Sequence, residues 1–178
     1  MTNYSSIVLD SLLRMNELAQ RVQGSEHLVS EHQDDWRGLS FMLRGRTVTA
    51  ASDEMAEIIE IPESITTVPD TPDWMVGLTN FHGEVLPISD LQCFVGGSPV
   101  SRDYQSKILV IKNRGKYVGL MVPSVLGIRY FPKNNKRQYE ALNDRLDLFI
   151  YDEFEFEDQV WPVVSMAAIL ADKQFLME

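Results

Sequence analysis

Two periodicities divide the chain. Over residues 6–23 the apolar side chains Val8, Leu12, Met15, Leu18 or Ala19, and Val22 recur at steps of three and four. That stripe predicts an amphipathic helix, capped at its start by Ser5 or Ser6 and ended by Gly24. It packs either on the protein's own core or on a partner helix. Residues 25–35 are mainly polar and read as a linker. From Trp36 onward short β-type runs alternate with turn residues.

The runs pair off around glycines. Gly38–Arg44 and Arg46–Ala51 flank Arg44-Gly45, and Met75–Phe81 and Glu84–Ser89 flank His82-Gly83. Ile108–Lys112 and Tyr117–Val122 flank Asn113-Arg114-Gly115, and Leu148–Phe154 and Gln159–Val164 flank an acidic turn. Glycine accepts the positive φ that tight hairpins need. Met55–Ile59 and Leu126–Phe131 are single strands, each followed closely by proline. Ser89-Asp90-Leu91-Gln92 reads as a capping box that starts a short helix. Ser165 caps a second helix over Met166–Lys173.

The β region reads as doubled. Arg44-Gly45 recurs as Arg114-Gly115, Glu57-Ile58 as Gly127-Ile128, and Pro87-Ile88-Ser89 as Pro162-Val163-Val164-Ser165. Three matches in one order predict two similar β subdomains. About five short strands per half suit a small closed or nearly closed barrel, which hides sheet edges. The expected organisation is an N-terminal helix and linker over 1–35 and a mainly β domain over 36–178. Its two barrels cover roughly 36–105 and 106–178, and strand exchange between them stays open. The second half carries the longer loop, Lys133–Asp147.

Charge narrows the partners. A formal net charge of −10 argues against nucleic acid and against an anionic leaflet, and suits a basic face on a protein partner. Cys93 is the single cysteine, so no internal disulfide forms, as in a reducing compartment. Its neighbour Phe94 predicts a buried, inert thiol. No run approaches the roughly 18 apolar residues of a membrane span, and Met1–Asp10 lack the basic start and apolar stretch of a signal peptide. A cytoplasmic protein without direct membrane insertion is expected.

A search for chemistry returns little. There is no Walker-type loop, no GxGxxG and no GxSxG elbow. His27 and His32 lie in the polar linker with nothing to complete a zinc set. Asp144, Asp147, Asp152, Glu153, Glu155, Glu157 and Asp158 lack the spacing of a metal loop. The alternation Phe154-Glu155-Phe156-Glu157 reads as a solvated edge. His82 has no serine, cysteine or acid spaced for a triad. No catalytic residue, metal site or cofactor is expected.

The segment Val68-Pro69 through Asp90-Leu91, with Pro72, Gly77, Asn80, Gly83 and Pro87 at fixed spacing, resembles the signature of the CheW family of chemotaxis coupling proteins. Ala56-Glu57-Ile58-Ile59 and Tyr117-Val118-Gly119-Leu120-Met121-Val122 are similar to two further strands of that family, and the likeness extends over about residues 36–172. Two positions depart from it. His82 stands where the signature has arginine, and Pro123-Ser124 where it has aspartate. The N-terminal helix and the ending Val160-Trp161-Pro162-Val163-Val164-Ser165 are most similar to the subgroup serving type IV pilus (twitching) chemosensory systems.

The resemblance implies a fold of two SH3-like five-stranded β-barrels. It implies a non-enzymatic scaffold, at membrane-associated chemosensory arrays, that links the tip of a methyl-accepting chemoreceptor to the regulatory domain of a CheA-type histidine kinase. The partner-binding residues it implies are Glu57, Ile58, Asn80, His82 and Val85. For Ile58 and Val85 the competing reading is plain core packing, and for Glu57 a solvated surface charge. Rival functions are the scaffold of a flagellar array, a generic β-barrel ligand-binding module and, least supported, an enzyme.

Overall fold

In the computed structural model, which describes residues 35–176, the alternating runs become strands and the glycine pairs become turns. The helix expected over residues 6–23 and its linker lie outside the described residues. The elements are β1 (Trp36–Leu43), β2 (Arg46–Ala51), β3 (Met55–Glu60), β4 (Met75–Phe81), β5 (Glu84–Asp90), α1 (Leu91–Phe94), β6 (Lys107–Asn113), β7 (Lys116–Val122), β8 (Ser124–Phe131), β9 (Lys136–Arg137), β10 (Ile150–Phe156), β11 (Gln159–Val164) and α2 (Met166–Ala171). The turns Arg44-Gly45, His82-Gly83, Arg114-Gly115 and Glu157-Asp158 all hold both residues at positive φ. That is the geometry whose twist matches the flanking strands of a two-residue hairpin.

Strand order explains the internal repeat. The five-stranded sheet runs β3-β6-β7-β5-β4 and the six-stranded sheet runs β8-β1-β2-β11-β10-β9. In each, a hairpin is flanked by the single strand and the last hairpin of the other half. Thus β1–β2 pairs with β8 and β11, while β6–β7 pairs with β3 and β5. Sheet membership therefore crosses the 105/106 position instead of dividing there. The single strands carry matching irregularities, a register shift between Met55 and Glu57 in β3 and one opposite Ser40/Phe41 in β8.

The exchanged hairpins also build the centre of the molecule. Leu39, Phe41, Leu43, Val48 and Ala50 from β1–β2 join Leu109, Ile111, Leu120 and Val122 from β6–β7 in one buried cluster. The alternate residues Ile108 and Val110 face a second cluster with Phe81, Leu86, Ile88 and Met121, inside the five-stranded sheet. Strand β6 is thus buried on both faces, which is why Ile108-Leu109-Val110-Ile111 reads as an unbroken apolar run. Phe131, Phe154, Trp161 and Val163 fill the six-stranded sheet, with Trp36 packed against them.

The five-stranded sheet closes on itself. Thr66, in the segment after β3, exchanges backbone hydrogen bonds of 2.8 Å with Leu78 of β4. Gly77 sits at the register shift of β4 with φ 144°, and a Cβ there would lie 2.4 Å from the Thr66 carbonyl oxygen. Only glycine admits so close an approach in that conformation.

Local details depart from expectation. The cap of α1 is Asp90, not Ser89: its Oδ1 accepts the Cys93 N–H at 2.9 Å and its Oδ2 the Val100 N–H at 2.7 Å. Ser89 is held in β5 opposite Leu120. Gln92 does not reach back to the cap; it accepts the Arg44 N–H and donates to the Ser98 carbonyl. Ser165 caps α2 through the Ala168 N–H at 3.1 Å. Strand β10 starts at Ile150 because Leu146–Phe149 form a 3-10 turn. Cys93 is half-buried, not fully buried, and burial with Asp90 and Asp73 nearby pushes its thiol up.

The long loop of the second half is fastened to the β1–β2 turn. Arg46 Nη2 donates to the Tyr139 hydroxyl at 2.7 Å, and that hydroxyl donates to Asp147 Oδ1 at 2.6 Å. Arg46 also pairs with Asp147 at 3.3 Å, and Arg44 with Asp144 at 3.1 Å.

Candidate protein-binding face

Register decides which way each implied residue points, because residues directly opposite across strands share a face. Glu57 lies opposite Val110, which belongs to the inner cluster, so Glu57 turns toward the barrel mouth. Ile58 lies opposite Leu109 and turns outward, 40% exposed. In the β4–β5 hairpin Phe81 points inward, so the facing pair Asn80 and Val85 points outward, with Val85 67% exposed.

The turn between them is pinned. Asn80 Oδ1 accepts the Gly83 N–H at 3.2 Å, and His82 adopts φ 53°. This aims the imidazole across the barrel mouth, where Nε2 lies 3.0 Å from Glu57 Oε2. Strands β3 and β4 are the two outer strands of the sheet order. The contact therefore bridges the rim. The ring also sits against Phe81 at 4.1 Å between centroids, Phe81 against Tyr117 at 5.2 Å, and the Lys112 ammonium lies 5.6 Å from the Tyr117 ring.

The structure thus joins Glu57 to His82, faces Asn80 with Val85, and sets Ile58 on the other side of β3 from Glu57. Plain core packing does not describe Ile58 or Val85, and Glu57 is a paired charge, not an isolated one.

Two surfaces escaped sequence reasoning. A groove of ≈ 670 Å³ runs between the β6–β7 turn and α2, lined by the apolar Val118, Leu170 and Leu176 and by the cations Arg114 and Lys116. The β6–β7 turn reads from sequence only as a hairpin, since α2 comes beside it through the tertiary fold. Outward residues Leu126, Ile128 and Tyr130 of β8 are 46%, 46% and 40% exposed. Their alternation is the signal the sequence carries, and by itself it predicts a strand but not an exposed apolar face.

The titratable groups elsewhere serve the fold. Desolvation raises the Asp90 carboxyl, with N–H donors from Cys93, Val100 and Gln92 opposing it. Burial likewise raises Glu54, which accepts the Ala167 N–H at the start of α2. No group of three or more His, Cys, Asp or Glu among the described residues is placed to hold a metal ion. What the arrangement offers is contact surface: the exposed apolar side chains Ile58 and Val85, the His82–Glu57 contact at the rim, and a groove that Arg114 and Lys116 help to line.

Comparison with known proteins follows the same line. A family model described as "CheW-like domain" matches residues 37–174. Protein PilI of Pseudomonas aeruginosa is 30% identical over 166 residues, 93% of this chain and 92% of that protein. A probable chemotaxis protein CheW of Rhizobium etli is 40% identical over 63 residues, 35% of this chain and 41% of that protein. The crystal structure of scaffolding protein TtCheW from Thermoanaerobacter tengcongensis superposes with a TM-score of 0.64 at 20% identity, covering 74% of this chain and 85% of that one. That likeness concerns the fold.

Proposed function

The chain belongs to the CheW-like family, and from that premise we propose that it is a non-enzymatic adaptor coupling a chemoreceptor to a CheA-type histidine kinase. The observation that carries the reading is the rim of the five-stranded barrel. There the signature hairpin presents Asn80 and Val85 outward and ties His82 to Glu57 at 3.0 Å. An exposed apolar anchor beside a polar rim is the anatomy of a protein contact. On this reading the kinase regulatory domain docks on that face, using Glu57, Ile58, Asn80, His82 and Val85.

A scaffold needs a second face, and the groove beside α2 suits the receptor. Its apolar lining residues Val118, Leu170 and Leu176 and the cations Arg114 and Lys116 fit an amphipathic helical hairpin. The adaptor then works at membrane-associated arrays without entering the bilayer; among the described residues no helix is long and apolar enough to cross one. Type IV pilus twitching is the favoured output over flagellar swimming. The similarity to PilI runs along 93% of the chain, whereas that to the Rhizobium CheW covers 35%.

Titration calorimetry of the full chain into the regulatory domain of the CheA-type kinase tests the kinase face. Saturable binding that weakens at least tenfold in Glu57→Arg, with an unchanged circular dichroism spectrum, is expected. Absence of binding by the wild type rejects the kinase as partner.

A further inference from the structure

We propose that the groove beside α2 is the open counterpart of a junction that the chain closes for itself in its other half, and that it takes an apolar-faced helix of a partner protein whose carboxylates pair with Arg114 and Lys116. Naming that partner as the chemoreceptor rests on the coupling reading; the site itself does not.

The internal repeat places two alike junctions in one molecule. The Arg44-Gly45 and Arg114-Gly115 turns share a conformation, with φ of 52° and 72° in the first and 49° and 83° in the second. Each turn lies beside the short helix that leaves the other sheet, α1 after β5 and α2 after β11. The first junction is closed. The Arg44 N–H donates to Gln92 Oε1 at 3.0 Å, and the guanidinium donates to the Val95 carbonyl at 3.3 Å and pairs with Asp144 at 3.1 Å. Gln92 Nε2 donates to the Ser98 carbonyl at 2.7 Å. Gly97 passes so near that a Cβ on it would meet Gln92 Cγ at 2.7 Å and Arg44 Cγ at 3.0 Å.

The second junction lacks each of these fastenings. Two places after the caps Asp90 and Ser165, α1 carries Gln92 and α2 carries Ala167, which has no amide to reach the turn. The chain beyond α2 leads to Trp74, on which Phe175 stacks at 5.3 Å. Arg114 and Lys116 are exposed and have no ion pair among the described residues. Elsewhere Arg44, Arg46, Lys107, Arg129, Lys136 and Arg137 each meet a carboxylate.

What the open junction wants is therefore what Asp144 gives the closed one, a carboxylate for the guanidinium of the turn. An apolar surface has to come with it, because Val118, Leu170 and Leu176 line the same groove. One helix offers both, with apolar side chains along one face and carboxylates at its edge. The adjoining hollow, which shares Asn113, Ala167 and Leu170, holds Asp53 and Glu54. Like charge there directs the carboxylates of the occupant to the turn.

Two measurements on the full chain test this. The first probe is a helical peptide with leucines at i, i+4 and i+7 and glutamates beside them, compared with the same peptide carrying lysines for the glutamates. The methyl groups of Val118, Leu170 and Leu176 are followed by NMR. Saturable shifts with the glutamate peptide are expected, and affinity at least about tenfold lower for the lysine peptide and for the double variant Arg114→Glu, Lys116→Glu. No shift with the glutamate peptide, or equal affinity for both peptides, overturns the proposal. Shifts that follow the concentration of the chain alone give the groove to a second copy and also overturn it. In the second measurement the chain is sedimented with membranes bearing the chemoreceptor. Ala167→Gln gives α2 the closing amide of α1. It should lower receptor binding about tenfold, as should the double variant, with affinity for the kinase regulatory domain unchanged. A groove that binds the glutamate peptide in a chain that does not bind the receptor, or whose receptor binding survives both changes, leaves the site standing and rejects the receptor as its occupant.

Discussion

At the residue scale the molecule separates charges that hold the fold from charges that face outward. Asp147 belongs to the first kind, its side chain only 4% exposed. Burial works against its charge, but hydrogen bonds from Tyr139, the Asp144 backbone and Arg46 outweigh it and hold the carboxyl below its ordinary value. A depressed carboxylate stabilises the fold above its unfolded-state value and loses that contribution as pH falls through its folded one. Asp147→Asn should therefore cost about 1–2 kcal/mol near pH 7 in urea unfolding. The difference from wild type should shrink as the pH drops below about 4, the ordinary aspartate value. An equal difference at every pH would place the effect in packing. Glu57 and His82 are of the second kind, and their pairing was not legible in the sequence, where 25 positions separate them. Family resemblance marked both residues; only barrel closure set them side by side.

At the element scale, turns and strands were legible because each follows from local chemistry. Arg-Gly and His-Gly pairs between alternating runs have few other outcomes than tight hairpins, and the boundaries of β4 and β11 fall at Met75–Phe81 and Gln159–Val164 as expected. Caps were harder. Ser89 and Asp90 are both good N-caps by residue type, and the choice fell to Asp90 because its two oxygens serve both Cys93 and Val100. Strand β9 has two residues, too few for any periodicity to register. Gly77 carries the strongest element-scale prediction. Alanine there meets the Thr66 carbonyl oxygen at 2.4 Å in a backbone conformation foreign to side chains. Gly77→Ala should lose at least about 2 kcal/mol of stability by chemical denaturation. A loss below about 0.5 kcal/mol would show that the barrel closes without this approach.

At the scale of the whole molecule, the repeat predicts two similar units, yet it does not say which strands share a sheet. The hairpin β1–β2 reads the same whether it pairs with its own half or with the other. The answer lies in the long-range pairing of Leu39 with Ile128 and Leu109 with Ile58, which no local pattern encodes. Reciprocal exchange has a thermodynamic consequence. Each sheet needs strands from both halves, and the two exchanged hairpins meet in the central cluster, which elements of both halves complete. Residues 36–105 or 106–178 alone should stay unfolded. The full chain should unfold in one transition, with tryptophan fluorescence and circular dichroism superimposing. Two separated transitions would mean that the barrels are independent.

The account stands on coupling, which a three-component sedimentation experiment reads directly. Membranes bearing the chemoreceptor are mixed with the CheA-type kinase, with and without the full chain, and pelleted. The kinase is predicted to enter the pellet only when the chain is present, and Glu57→Arg is predicted to pellet with the receptor while leaving the kinase in solution. A kinase that pellets equally without the chain, or stays in solution while the wild-type chain pellets, would contradict the adaptor role.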